Sequence, residues 1–281
     1  MRTLVHISDI HFGRVDYGVV ECLREKINEI APDLTIVSGD LTQRARSKQF
    51  IEARDFLETL PKPQIVVPGN HDIPMHNVFA RFVSPLEKYK RYITEDLEPF
   101  YADEEIAVIG INTARSLTVK DGKINDQQIA VVRERMCNLD EKMLKIVVTH
   151  HPFDLPVGFD DNDIVNNAER AMPLISDCGA DVFLSGHLHV SHVAHTANRY
   201  KLDSGRNALV IQAGTATSTR GRGEANSFNV IEFEFPQLIV KRFECEQSEI
   251  GFLEAQSQEF TQGDKGWTKA ETRPQGSVQS D

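Results

Sequence analysis

The sequence predicts an α/β (α+β) fold in which two β-sheets pack face to face with helices on the outside. Three observations predict it. The first third alternates apolar strand-like runs with amphipathic helical segments, the pattern of a parallel sheet covered by helices. Late in the chain the alternation stops, and strand-like runs follow one another with no helix between them. Five apolar runs end in polar, metal-competent side chains, at the edge where open α/β sheets bind ligands. At 281 residues with 40% hydrophobic content, the chain suits one large domain. Its expected extent is residues 1–254, with a loosely ordered tail at 255–281.

In chain order, residues 3–8 read as a strand buried on both faces. Val19, Val20, Leu23, Ile27 and Ile30 recur at helical spacing until Pro32. Residues 34–38 form the second strand. Phe50, Ala53, Phe56 and Leu57 mark a helix face before Pro61 and Pro63, and residues 64–68 form the third strand. A helix is expected around 84–94. Ile106–Ile111 reads as a buried strand leading to Asn112, with Gly110 marking a bulge or a close approach. Asn125 or Asp126 caps a helix carrying Ile129, Val132 and Met136. Strand 145–149 follows, then a helix closed by Gly179, then strand 181–185. Runs 208–212, 228–235 and 238–244 read as an antiparallel part of the sheet system. The tail is rich in Gln, Ser, Gly and Lys, although Phe260 and Trp267 offer docking points.

Composition narrows the function classes. The net charge of −11 argues against a dedicated nucleic-acid binder, whose footprint is basic. No apolar run is long enough for a transmembrane helix. Met1-Arg2-Thr3 enters a strand with no signal-like segment, so the expected location is the cytoplasm. Cys22, Cys137, Cys178 and Cys245 are widely spaced and form no CxxC pair, so free thiols are expected.

The strand ends carry the chemistry. Gly69-Asn70-His71-Asp72 follows Ile65-Val66-Val67-Pro68. Asp9 and His11 follow the first strand, Gly39-Asp40 the second, His150-His151 the strand at 145–149, and His187 and His189 the strand at 181–185. Carboxylates, an amide oxygen and imidazoles are represented, and cysteine is absent. A structural zinc site is four-coordinate and often uses cysteine. Seven candidate ligands (Asp9, His11, Asp40, Asn70, His150, His187 and His189) exceed what one first-row ion takes. Two ions sharing a carboxylate fit them, and paired ions suit in-line displacement at phosphorus.

In order, Asp9-x-His11, Gly39-Asp40, Gly69-Asn70-His71-Asp72, His150-x-Pro152 and Gly186-His187-x-His189 resemble the signature of calcineurin-like metallophosphoesterases. The closest branch is that of class III cyclic-nucleotide and glycerophosphodiester phosphodiesterases. The resemblance spans residues 4–189. It implies a four-layer αββα two-sheet sandwich and a metal-dependent phosphodiesterase. It also implies that Asp9, His11 and His189 hold one ion and that Asn70, His150 and His187 hold the other, with Asp40 bridging. A metal-bridging hydroxide would then attack phosphorus in line, while His71 assists the leaving oxygen. Asp72 is expected to orient the His71 imidazole. The ions are manganese, iron or zinc, in divalent or mixed-valence pairs. The expected substrate is a cyclic nucleotide or another small phosphodiester, with no stable nucleic-acid binding, and a homodimer is consistent with relatives in this branch.

Around the motifs the blander readings stand beside these. His151 reads as a pocket wall, with substrate contact as the alternative, and Asn112 as a turn or a residue lining the site. His6 is expected to be a satisfied sheet residue, and His76 to lie at the pocket rim at most. Arg44, Arg46, Arg220 and Arg222 read as solvated charge, with phosphate contact as the alternative for the Arg220–Arg222 loop. Competing functions are a nuclease or a nucleotide or lipid-sugar pyrophosphatase of the same superfamily, or a catalytically silent metal-binding scaffold.

Overall fold

The computed structural model describes residues 1–75, 78–116, 120–196, 199–200, 202, 205, 207–219 and 223–270. The elements are β1 (Arg2–Ile7), α1 (Tyr17–Ile30), β2 (Leu34–Ser38), α2 (Ser47–Glu58), β3 (Gln64–Val67), α3 (Val78–Val83), α4 (Glu87–Tyr92), β4 (Phe100–Ala102), β5 (Ile106–Ile111) and α5 (Asp126–Met136). They continue with β6 (Leu144–Thr149), α6 (Ala168–Ser176), β7 (Val182–Ser185), β8 (His192–His195), β9 (Leu209–Gln212), β10 (Asn226–Glu234), β11 (Gln237–Cys245), β12 (Leu253–Gly263) and β13 (Gly266–Lys269). One sheet has the order β13-β12-β11-β10-β1-β2-β3, and the other β4-β5-β6-β7-β9-β8.

Strand periodicity builds the layers. Leu4, Ile36 and Ile65 point to the seam between the sheets, where they meet Val108, Ile146, Val148 and Leu184. On the opposite pleat, Val5, Ile7 and Val37 pack under Leu23 and Ile27 of α1 and Phe50 and Phe56 of α2. Ile109, Val147 and Phe183 likewise pack under Ile129 and Val132 of α5 and Met172 and Ile175 of α6. The order is helix, sheet, sheet, helix. Both faces of the central strands are covered, which is why they read as continuous apolar runs. The β1-β2-β3 and β5-β6-β7 triplets are parallel, so their carboxyl ends gather on one edge of the sandwich.

The helix expected around 84–94 is present as the shorter α4, and α3 precedes it, ending before Ser84-Pro85 because a residue before proline is pushed out of the helical region. Three sequence expectations are corrected. The run 208–212 is not antiparallel to its successors. As β9 it lies parallel to β7, while β10 crosses to the other sheet and pairs with β1. Residues 255–270 belong to the sheet. β12 pairs with β11 from Gln237↔Thr261 to Glu244↔Leu253, and β13 closes the edge. Their polar composition hides this, since a strand needs backbone partners and only occasional anchors. Phe260 and Trp267 are those anchors, at 2% and 1% exposure, and Trp267 Nε1 donates to Asp181 Oδ1 at 3.2 Å. Residues 271–281 lie outside the described residues, as do His76 and Arg220–Arg222. Finally, Cys137 and Cys178 form a disulfide rather than two free thiols. Helices α5 and α6 pack side by side, which brings their C-terminal ends together across 41 residues of sequence. Cys22 and Cys245 are free thiols. No helix among the described residues is long and apolar enough to cross a membrane.

Candidate metal centre

Each candidate ligand lies just past a parallel strand. Asp9 and His11 follow β1, Asp40 follows β2, Asn70 follows β3, His150 follows β6, and His187 and His189 follow β7. The loops fold back sharply. Among the described residues, the non-glycine positions with positive φ are Asp9, His11, Ala31, Asp40, Ala45, Asn167, His187 and His189. Five of these are candidate ligands, and such left-handed conformations cost free energy in residues other than glycine. Gly39 makes one turn possible: its φ is +94°, and a Cβ there would stand 2.6 Å from His150 Nδ1.

Two sets of donors face each other. In the first, His189 Nε2 lies 3.2 Å from Asp9 Oδ1 and 3.2 Å from His11 Nε2, and His11 Nε2 lies 3.6 Å from Asp9 Oδ1. In the second, Asn70 Oδ1 lies 3.1 Å from His150 Nε2 and 3.1 Å from His187 Nδ1. Asp40 Oδ2 stands between the sets, 3.8 Å from His11 Nε2 and 3.4 Å from His150 Nε2. Donor–donor edges of roughly 3 Å are what metal–ligand bonds of about 2.0–2.2 Å produce around a shared ion.

The remaining atoms of these groups have protein partners that aim them. Asp9 Oδ2 accepts from Ser8 Oγ at 2.7 Å and from the His187 N–H at 2.9 Å. Its other oxygen, Oδ1, is buried without a hydrogen-bond donor, the environment of an atom meant for a cation. Asp40 Oδ1 accepts the His71 N–H at 2.8 Å, leaving Oδ2 to the donor sets. His150 Nδ1 donates to Ser38 O at 2.8 Å, which fixes the tautomer and turns the Nε2 lone pair toward Asn70 and Asp40. The donor set fits divalent first-row ions.

Electrostatics agree with that geometry. Burial alone would raise the Asp40 carboxyl, but the neighbouring His150 and further imidazoles hold it well below the usual carboxylate range. Asp9 is likewise held low, the opposition of burial being overcome by His189 and His11. Burial opposes the charge on His150 too, yet Asp40 raises it to about 9. Burial and the His150 charge push His187 down to about 3. Without an ion, the cluster balances its carboxylates with a proton on an imidazole. A divalent cation would take over that charge and release the proton.

The remaining predicted residues divide. His71 Nδ1 donates to Gln43 O at 2.9 Å, and its ring sits 4.9 Å from the His11 ring. The expected hydrogen bond from Asp72 to the imidazole is corrected. The Asp72 carboxylate instead accepts from the N–H groups of Leu41, Thr42 and Gly69 at 3.2, 2.9 and 3.0 Å and from Thr42 Oγ1 at 3.0 Å. A buried carboxylate satisfies main-chain donors more easily than it bends to its neighbour's ring, so Asp72 ties the β2 and β3 loops together. His151 and Asn112 both have hydrogen-bond partners within the protein. The His151 nitrogens engage Thr113 Oγ1 and Lys120 O, each at 2.8 Å, with the ring packed 4.6 Å from His187. Asn112 Oδ1 accepts the Ala114 N–H at 3.0 Å. His6 is buried, with Nε2 2.8 Å from Ser38 Oγ. Sequence reasoning missed Ser8, Ser38 and Gln43. The first two directly precede Asp9 and Gly39, and a polar residue at the end of an apolar strand was their only signal.

Comparison with known proteins adds the following. A family model described as calcineurin-like phosphoesterase matches residues 2–191. The glycerophosphodiester phosphodiesterase GpdQ of Enterobacter lignolyticus is 24% identical over 185 residues, covering 61% of this chain and 65% of its own. The chain thus spans just under two thirds of that relative. A probable cyclic nucleotide phosphodiesterase of Xenorhabdus bovienii is 24% identical over 251 residues, covering 84% of this chain and 97% of its own. Among solved structures, the purple acid phosphatase PPD1 of yellow lupin superposes with a TM-score of 0.66 at 12% identity, covering 92% of this chain and 53% of its own, a likeness of fold.

Proposed function

Because the chain belongs to the calcineurin-like phosphoesterase family, we propose that it is a dinuclear metal-dependent phosphodiesterase acting on cyclic nucleotides or other small phosphodiesters. The observation that carries the reading is the position of Asp40 Oδ2 between two complete donor sets. Asp9, His11 and His189 would hold one ion, Asn70, His150 and His187 the other, and Asp40 both. Bound there, the ions supply positive charge for the phosphate oxygens and lower the pKa of water.

The chain's own groups do the rest. The strained loops hold the donors in place before substrate arrives, so no reorganisation is needed during reaction. His71 is held through Nδ1 by Gln43 O, which leaves Nε2 to face the substrate and to give a proton when the ring is doubly protonated. In the reaction, water oxygen bonds to phosphorus, one water proton leaves to solvent, and the bond from phosphorus to the leaving alcohol oxygen breaks. The Nε2 proton of the doubly protonated His71 ring passes to that oxygen, and the ring regains a proton from solvent. The phosphodiesterase names of the Enterobacter and Xenorhabdus relatives support the substrate class.

The test is hydrolysis of 3′,5′-cyclic AMP and of bis(p-nitrophenyl) phosphate by manganese-loaded protein. Turnover of both is expected. Turnover of the second alone moves the substrate to other diesters, and turnover of neither with metal bound refutes the enzyme reading.

A further inference from the structure

Resting on that reading, we propose that the groove beside His71 is a second anion site, selecting diesters whose leaving alcohol carries a further phosphate. The groove has a volume of about 480 Å³ and is lined by Arg14, Arg44 and Arg46 together with Gln43, Gln49 and His71. That is within the span of small-ligand pockets, roughly 300–1,000 Å³.

The arrangement of the arginines is built into the fold. Arg14 lies on the β1–α1 loop, and Arg44 and Arg46 on the β2–α2 loop. Gln49, buried at 8% exposure, joins the two loops. Its Oε1 accepts the N–H groups of Arg44 and Arg46 at 3.0 and 3.3 Å, and its amide packs where Gly13 has no Cβ. The Gln43 N–H adds a bond to Phe12 O at 3.0 Å. Ala45 adopts φ 48° and is buried, so it turns inward while the arginines on either side line the groove.

The charge is unusual for this chain. The protein has 42 acidic residues and a net charge of −11. Arg2, Arg24, Arg54, Arg91, Arg170, Arg199 and Arg242 pair with carboxylates, and Arg115 and Arg135 bond to neutral carbonyl oxygens of Gln128 and Glu98. Among the described residues, Arg14, Arg44 and Arg46 have no ion pair, and no carboxylate lines their groove. Three exposed arginines line one groove, and a phosphate matches the planar donor fork of a guanidinium.

Position assigns the anion to one side of the substrate. His71 belongs to both features, since it lines the groove and its ring lies 4.9 Å from that of His11. If His71 protonates the leaving oxygen, a group in the groove is attached to the leaving alcohol. Arg44 and Arg46 are exposed, as expected of solvated charge, and the proposal gives that charge a use in substrate selection.

The experiment compares three thymidine dinucleotides with the manganese-loaded full chain: one with a 5′-phosphate, one with a 3′-phosphate and one with neither. Bis(p-nitrophenyl) phosphate is assayed alongside. One phosphorylated dinucleotide is expected to exceed the bare one in kcat/KM by about 10-fold or more, the scale of a charge-assisted hydrogen bond. The ratio is expected to decline with added salt and to approach one in the Arg14→Gln/Arg44→Gln/Arg46→Gln variant. Equal kcat/KM for all three in the unmodified protein, with the chromogenic diester still cleaved, overturns the second site and leaves the diesterase intact. A preference that survives the triple substitution also overturns it. Failure to cleave the chromogenic diester removes both proposals at once.

Discussion

Single atoms decide how this site works. Asp40 Oδ2 faces both donor sets, so on the proposed two-ion reading Asp40→Ala is expected to remove the shared ligand. Its effect on manganese-dependent turnover should exceed the roughly 10–100-fold that loss of an outer hydrogen-bond partner costs, read as kcat/KM on bis(p-nitrophenyl) phosphate. Asp72 plays a different part. Its carboxylate holds four donors of the β2 and β3 loops, so Asp72→Ala should lower stability by about 3 kcal/mol or more, measured by denaturant unfolding. His6 provides a pH signature. Burial pushes it down to about 3, against 6.5 in an unfolded chain. Between those values the unfolded chain binds a proton that the folded chain does not, so stability falls as pH drops through 6.5. At pH 5 its share is about 2 kcal/mol. In His6→Asn, thermal unfolding followed from pH 7 to pH 4.5 should show a shallower decline than in the parent protein, and an unchanged decline would sink the assignment.

At the level of elements, sequence legibility follows physical cause. β1, β2, β3, β6 and β7 were readable because both their faces are buried and they end in polar groups. The same ends marked all seven candidate ligands. β12 was not readable, since most of its side chains face water and its pairing with β11 is made by the backbone. β8 was hidden in the same way, as its half-buried edge sequence has no apolar alternation. The partnership of Cys137 with Cys178 depends on how α5 and α6 dock, which no local spacing encodes. The role of Asp72 depends on the loop after β2, thirty residues away in sequence. The anchoring of the outer strands is testable. Trp267→Ala removes a buried indole that bonds to Asp181 and should cost about 3–5 kcal/mol. An unfolding midpoint equal to that of the parent would show that β13 is dispensable.

For the whole molecule, the centre is a joint between sheets. Asp9, His11, Asp40 and Asn70 extend from one sheet, and His150, His187 and His189 from the other. An ion bound there favours the docked state. Manganese at 100 times its dissociation constant should stabilise the fold by about 2.7 kcal/mol, seen as a rise in Tm that chelator reverses. The disulfide clasps the outer helices of the second sheet. Replacing Cys137 and Cys178 by serine should cost about 4 kcal/mol if the bridge acts by restricting the unfolded chain, whereas in a reducing compartment the bridge would be open and the loss absent.

The division of ligands between the two sheets also sets a clock on synthesis. Carboxylates near the start of the chain emerge from the ribosome long before His187 and His189, and β1 waits for β10 to fill its open edge. A nascent chain therefore presents half a cation cage that nothing yet closes. Loading through both donor sets would wait for the far imidazoles, so a fully loaded centre would mark a chain synthesised at least through His189.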